Sequence, residues 1–224
     1  MKQKLEQQKQ LNHKIGYGIY FLILIAFIVL AIRVRSGATL ALDEATLKMI
    51  NQWSSQGFDR TILFLTTLAG PILATTIGVL LFAFFLVQKK KLNSLYVVLT
   101  MLGTFLINTG LKLYFGRTRP ALWPALVEEG SHSFPSGHSM ISMAIALTLV
   151  IIFYNSKYKK VTIILGFLYV IIIGFTRLYL GVHYPSDVLG GWMASFLWVA
   201  FVTKIMLKNE TFRQIILPEP LGKN

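Results

Sequence analysis

Cysteine is absent from this 224-residue chain, and acids are scarce, with nine Asp and Glu against 22 Lys and Arg. The first absence excludes a disulfide framework and any thiolate metal site, and leaves the redox compartment unreadable from thiol usage. Charge of either sign is also thin. Only 14% of residues are charged while 54% are hydrophobic, and the mean hydropathy is +0.61. Soluble domains carry roughly a quarter charged residues, so this composition points to a single polytopic membrane domain. A net charge of +13 would suit a nucleic-acid binder. Here, however, most of the surplus lies in short turns between apolar runs, and no nucleic-acid partner is expected.

Six apolar stretches approach the ~20 residues needed to cross a bilayer: residues 15–32, 61–87, 94–114, 137–154, 161–176 and 188–207. Pro71 falls inside the second and predicts a short helix followed by a kink; the fifth is short for a span. The turns 88–93 and 155–160 carry Lys89, Lys90, Lys91, Lys157, Lys159 and Lys160, which the positive-inside rule assigns to the cytoplasm. Lys2, Lys4, Lys9 and Lys14 at one terminus, and Lys204, Lys208, Arg213 and Lys223 at the other, go with them. The expected fold is therefore all-α: six transmembrane helices over 15–207, between cytoplasmic tails 1–14 and 208–224. Outer loops follow at 36–60, 115–136 and 177–187. Arg33 and Arg35 run against this assignment, with Asp43 and Glu44 as candidate partners. The first span resembles a secretory signal in its lysine prefix, but arginines follow it where a small-residue cleavage site would stand. The end from Leu217, with Pro218 and Pro220, is expected to fray. No internal repeat is visible.

Against this apolar background three polar clusters stand out, each at the end of a hydrophobic segment. Lys112–Pro120 ends the third, Phe134–His138 opens the fourth, and Arg177–Asp187 joins the fifth to the sixth. The predicted topology brings all three to one outer level. Ionisable groups at membrane depth are costly and mark functional sites. Lys112, Arg119 and Arg177 need an anion that Asp187 alone does not supply; phosphate suits guanidinium forks and an ammonium. Arg117 is left to snorkelling or to lipid head groups. Ser136 is placed to cap the fourth span, leaving N–H groups for an anion, and Gly137 lets the backbone approach closely. His183 and Asp187 are one turn apart, so the carboxylate can fix the tautomer and leave the other ring nitrogen to attack. Two histidines and one aspartate among arginines and lysine would repel a cation, so no metal is expected. His13 and His132 are read as solvated.

Lys-x6-Arg-Pro (Lys112 to Pro120), Pro-Ser-Gly-His (Pro135 to His138) and Arg-x5-His-x3-Asp (Arg177 to Asp187) together resemble the three-part signature of the type 2 phosphatidic acid phosphatase superfamily. These lipid phosphate phosphatases share their core with vanadium haloperoxidases. One departure is Thr176, where the family usually has serine; a hydroxyl is kept. The resemblance implies a metal- and cofactor-free hydrolase with its site at the extracytoplasmic end of the bundle. His183 would form a phosphohistidine, Asp187 would orient it, and His138 would serve as general acid and base. Lys112, Arg119, Ser136, Gly137 and Arg177 would hold the phosphoryl oxygens.

Superfamily members of this size and plan are mostly bacterial enzymes resembling phosphatidylglycerophosphatase B or undecaprenyl pyrophosphate phosphatases, which implies a phospholipid or polyprenyl phosphate substrate in a bacterial plasma membrane. Segment 36–60, with Leu47, Ile50 and Trp53 on one side, reads as an interfacial helix gating lipid entry. A phosphotransferase would use the same intermediate with another acceptor. A transporter would show broken helices in paired halves, which are not seen. The oligomeric state is not legible, although Gly190-Gly191 suits close helix contact.

Overall fold

Proline, capping residues and lysine-rich turns divide the chain into nine helices among the residues described in the computed structural model, which are 2–217, with side chains from Gly16 to Leu217. In order they are α1 (Lys2–Arg35), α2 (Leu40–Asn51), α3 (Gln56–Thr67), α4 (Pro71–Val87), α5 (Lys91–Phe115), α6 (Gly137–Ile152), α7 (Lys159–Tyr179), α8 (Pro185–Met206) and α9 (Glu210–Ile216). The described residues contain no strand. Local chemistry sets the boundaries. Pro71 and Pro185 start α4 and α8 in the first turn, where a missing N–H costs nothing. The side chains of Ser55, Ser136 and Asn209 accept N–H groups that open α3, α6 and α9. Gly116, at φ +57°, ends α5 in the left-handed region.

Five segments are long and apolar enough to cross a membrane: Gly16–Arg35, Gln56–Val87, Lys91–Phe115, Lys159–Tyr179 and Pro185–Met206. The second is interrupted before Pro71, as the proline predicts. The predicted fourth span is the shorter α6, whose 16 residues extend only ~24 Å at 1.5 Å each, less than a hydrocarbon core. The fifth, expected to be short, is the 21-residue α7.

Several predicted boundaries move. Residues 2–14 are helical and continuous with α1, ahead of the apolar segment that begins at Gly16. Segment 36–60 holds α2 and the start of α3. The loop at 177–187 shrinks to residues 180–184, because Arg177 lies in the last turn of α7 and Asp187 in the first turn of α8. The segment after 208 holds α9, whose Phe212 and Ile216 pack on Tyr96, Val202 and Met206. The side chain of His13 and the end from Pro218 lie outside the described residues.

The bundle is organised around α6, which packs on α5, α7 and α8, while α1 lies on α8, α4 on α5, and α3 on α7. Large apolar side chains such as Leu22, Ile72, Leu113 and Phe167 remain exposed, as expected of helices solvated by lipid. Gly190 and Gly191 serve contact within the chain. A Cβ at Gly190 would lie 2.5 Å from the Phe134 ring, and one at Gly191 would lie 2.8 Å from the Ser136 carbonyl oxygen. Their bareness lets α8 press against the start of α6.

The antiparallel arrangement sends the C-terminal ends of α5 and α7 and the N-terminal ends of α6 and α8 to one pole. The lysine turns between α4 and α5 and between α6 and α7 occupy the other. Arg35 also finds its partner at the first pole. Its Nη1 donates to the Tyr114 carbonyl at 3.2 Å, near the end of α5, rather than to Asp43 or Glu44. A basic group suits that helix end.

Candidate active site

A cavity of about 370 Å³ opens at this pole and is lined by His138 and His183 together with Thr104, Asn108, Lys112 and Glu129. His138 comes from the first turn of α6 and His183 from the short turn between α7 and α8. Two hydrogen bonds to main-chain carbonyls tie the elements together. Ser136 N–H donates to the Asp187 carbonyl at 3.0 Å, and Asn108 Nδ2 donates to the Pro135 carbonyl at 3.2 Å. Three sequence-distant motifs are thereby held together by α5, α6 and α8.

His183 is buried, and its Nε2 lies 3.1 Å from Arg119 Nη1. A guanidinium can only donate, so Nε2 is the acceptor and the ring proton belongs on Nδ1, facing Asp187. That pair is 3.5 Å long, beyond a normal hydrogen bond. Asp187 Oδ2 also accepts the Tyr184 N–H at 2.8 Å, which closes the first turn of α8. Burial pushes the His183 pKa down to about 4, with Arg177 and Arg119 adding to the effect and Asp187 opposing it. Arg119 is lowered as well, by burial first, with Glu129 and Asp187 opposing.

The cations do not stand alone, contrary to the expectation that Asp187 was their sole carboxylate. Glu129 forms ion pairs with Arg119 at 3.4 Å and with Arg177. Arg177 is buried, donates from Nη1 to Thr66 Oγ1 at 2.6 Å, and keeps an Nε with no hydrogen-bond partner among the described residues. Lys112 Nζ donates to the Ser131 hydroxyl at 2.8 Å and to the His132 carbonyl at 2.6 Å. Arg119 donates from Nε to the Ser131 carbonyl at 2.7 Å and from Nη1 to the Val182 carbonyl at 2.8 Å. His132 meets the site through its main chain as well as the cavity wall.

Ser136 is fully buried and its hydroxyl is occupied by the cap, accepting from Ser139 N at 3.4 Å and lying 3.0 Å from Ser139 Oγ. Of the sequence-predicted site residues, Lys112, Gly137, His138 and His183 line the cavity, whereas Arg119, Ser136, Arg177 and Asp187 lie behind its wall. Thr176 turns its hydroxyl to the Ile173 carbonyl in its own helix.

Three contributors escaped the sequence reading. Arg117, assigned there to the lipid surface, is nearly buried and pairs with Asp187 at 2.5 Å and with Asp43 at 2.8 Å. Asp43 itself was read only as a charge balance for α1. Its signal was its position: Asp43, Leu47 and Ile50 share one helical face and are all buried, and an acid on an apolar face needs a partner. Glu129 carried no such signal, because it sits in an irregular loop. The assignment of α2 as a gate also changes. It packs on α7 and α8, and none of its residues lines the cavity. Trp53 lies beyond its end, against Phe175.

The sequence profile of the PAP2 superfamily matches residues 93–211. Phosphatidylglycerophosphatase B of Bacillus subtilis is 30% identical over 193 residues, covering 84% of this chain and 95% of the relative. An undecaprenyl-diphosphatase of Sulfolobus acidocaldarius is 23% identical over 82% of this chain and 89% of its own. Among solved structures, the transmembrane PAP2-type phosphatidylglycerolphosphate phosphatase from Bacillus subtilis superimposes with a TM-score of 0.78 at 28% identity. That match covers 84% of this chain and 96% of the other. The matched region takes in all three motifs and the helices that hold them, and the chain belongs to the PAP2 superfamily.

Proposed function

We propose that the protein is a metal-independent phosphatase of membrane lipids, acting on phosphomonoester or diphosphate head groups. The observation that carries this reading is the convergence of Lys112, Arg119 and Arg177 near a buried imidazole that lines the cavity and whose Nε2 accepts from Arg119. An incoming phosphate would take over the Arg119 and Arg177 contacts that Glu129 and His183 now make. His183 Nε2 then forms a bond to phosphorus as the bond to the leaving oxygen breaks, and His138 delivers a proton to that oxygen. In the second step His138 takes a proton from water, whose oxygen attacks phosphorus and frees His183. Lys112, Arg119, Arg177 and the Gly137 N–H stabilise the charge that shifts onto the phosphoryl oxygens.

Among the described residues no cluster of three His, Asp or Glu side chains suited to a metal ion is present. The test is phosphate release by the purified protein in detergent with EDTA, across phosphatidylglycerophosphate, phosphatidate and undecaprenyl diphosphate. Release from at least one is expected to survive chelation, whereas loss under EDTA would sink the metal-free reading. Phosphate transfer to an added alcohol in preference to water would favour a phosphotransferase.

The downward shift at His183 sets a pH dependence. A lowered pKa means that the neutral, nucleophilic form persists as pH falls and is lost only near the shifted value of about 4. An ordinary histidine would already lose it through about 6.5. The limb of kcat/KM belonging to the nucleophile is expected well below pH 6. It should be common to two substrates whose phosphates titrate apart. A shared limb between pH 6 and 7 would contradict the geometry around His183.

Six crossings, counting α6 as one, with the histidine pole outside the cytoplasm, follow from the lysine-rich turns at the opposite pole. In this cysteine-free chain, Glu128→Cys is expected to react with an impermeant thiol reagent in intact cells. Lys160→Cys should react only after permeabilisation. The reverse pattern would place the site in the cytoplasm and remove outer-leaflet lipids from the substrate list.

A further inference from the structure

Asp187 has two carboxylate oxygens with different partners. Oδ2 faces His183 and the Tyr184 N–H, whereas Oδ1 lies 2.5 Å from Arg117 Nη1. From there the contacts run outward to α2. Arg117 Nη2 donates to Asp43 Oδ2 at 2.8 Å and Nη1 to Ser186 Oγ at 2.7 Å. Ser186 in turn gives its hydroxyl to Asp43 Oδ2 at 2.6 Å and its N–H to Asp43 Oδ1 at 3.0 Å. The guanidinium also lies over the Tyr184 ring, 4.2 Å from its centroid. Asp43, Ser186 and Asp187 are all buried.

Resting on the phosphatase reading, we propose that Arg117 and Asp43 are positioning residues for the nucleophile. Arg117 grips one oxygen of Asp187 so that the other stays aimed at His183 Nδ1, and Asp43 anchors Arg117 from α2. Both Nη groups of Arg117 are taken up by Asp187, Ser186, Asp43 and Thr39, so its fork is not offered to the phosphate. Only a planar fork spans two carboxylates in this way, which an ammonium on a flexible stem does not. A buried network of this kind is costly to assemble and is often neutral for stability compared with apolar packing. Its contact with the His183 partner gives it a catalytic use. Asp43 lies outside residues 93–211, the part matched by the superfamily profile, so α2 joins the catalytic apparatus from beyond that core.

The experiment compares wild type, His183→Ala, Arg117→Gln, Arg117→Lys, Asp43→Asn and the Arg117→Gln/Asp43→Asn double variant in detergent. An activated aryl phosphate is the substrate and tungstate the inhibitor. Arg117→Gln should lower kcat on the order of 10- to 100-fold, as loss of an outer partner does elsewhere, with KM and tungstate inhibition nearly unchanged. Adding Asp43→Asn to Arg117→Gln should cost little more, because both act through one link. Arg117→Lys should restore only part of the rate. Should Arg117→Gln fail to fold, Asp43→Asn alone, which keeps the side-chain shape, must still show the kcat loss with tungstate inhibition unchanged.

Tungstate affinity falling in step with kcat would make Arg117 a phosphate ligand and overturn the proposal. So would a lower melting temperature with unchanged kcat, full rescue by lysine, or additive losses in the double variant. Inactivity of the wild type would instead sink the phosphatase reading, and it would be seen before any variant is compared.

Discussion

Replacing His183 by alanine is expected to abolish turnover of every phosphate ester, whatever its leaving group. The expectation comes from geometry. His183 Nε2 is held as a lone-pair acceptor 3.1 Å from Arg119, and of the three imidazoles lining the cavity, His132, His138 and His183, it alone has a carboxylate, Asp187, facing its other ring nitrogen. His138→Ala should behave differently, because a general acid matters in proportion to how poor the leaving group is. Its loss should fall on the order of 10²- to 10⁴-fold for a lipid phosphate, the usual worth of proton transfer. On nitrophenyl phosphate it should be much smaller. Steady-state assays of both variants on both substrates make the comparison. Equal losses on both by both variants would refute this division of roles.

The second large effect is expected at Arg177. It is the largest fully buried side chain in the described structure, yet its Nε has no hydrogen-bond partner there and its Nη2 is paired to Glu129. Arg177→Gln removes the fork that would grip the phosphoryl oxygens and leaves Glu129 facing the incoming anion with less cation to balance it. A single stabilising donor in such a site is worth roughly 10²- to 10³-fold in rate, and kcat/KM is expected to fall at least that far. Tungstate inhibition should weaken in parallel, which sets this position apart from Arg117. Lysine should restore little, because a point charge does not reproduce the bidentate geometry. Retained tungstate affinity in Arg177→Gln would remove Arg177 from the phosphate site.

Much of the candidate site is legible in the sequence, because its residues sit where side chains of their kind are expensive. Lys112, Arg119, Arg177, His138 and His183 border apolar runs, and helical periodicity already put His183 and Asp187 a turn apart. Boundaries were less legible. Arg177 and Asp187 were assigned to a loop, yet both lie within helices, since buried polar side chains that find partners, Arg177 with Thr66 and Glu129 and Asp187 with Arg117 and the Tyr184 N–H, need not interrupt a helix. Likewise α9 was read as tail because a seven-residue helix has too little length for its two core-facing residues to stand out.

The all-helical membrane character was determined by the sequence itself: composition and apolar run length leave the backbone no other way to satisfy its hydrogen bonds in lipid. The choice of His183 as candidate nucleophile also came from the sequence, since the His183–Asp187 spacing is local. Which charges balance which was decided only by the tertiary structure. Glu129 meets Arg119 and Arg177 across 10 and 48 residues, and Asp43 meets Arg117 and Ser186 across 74 and 143. Ion pairing depends on distance in space and on shared burial, and neither is encoded in any single segment. Asp187 is committed to Arg117 and His183, and Glu129 to Arg119 and Arg177, because the packed bundle brings those side chains together.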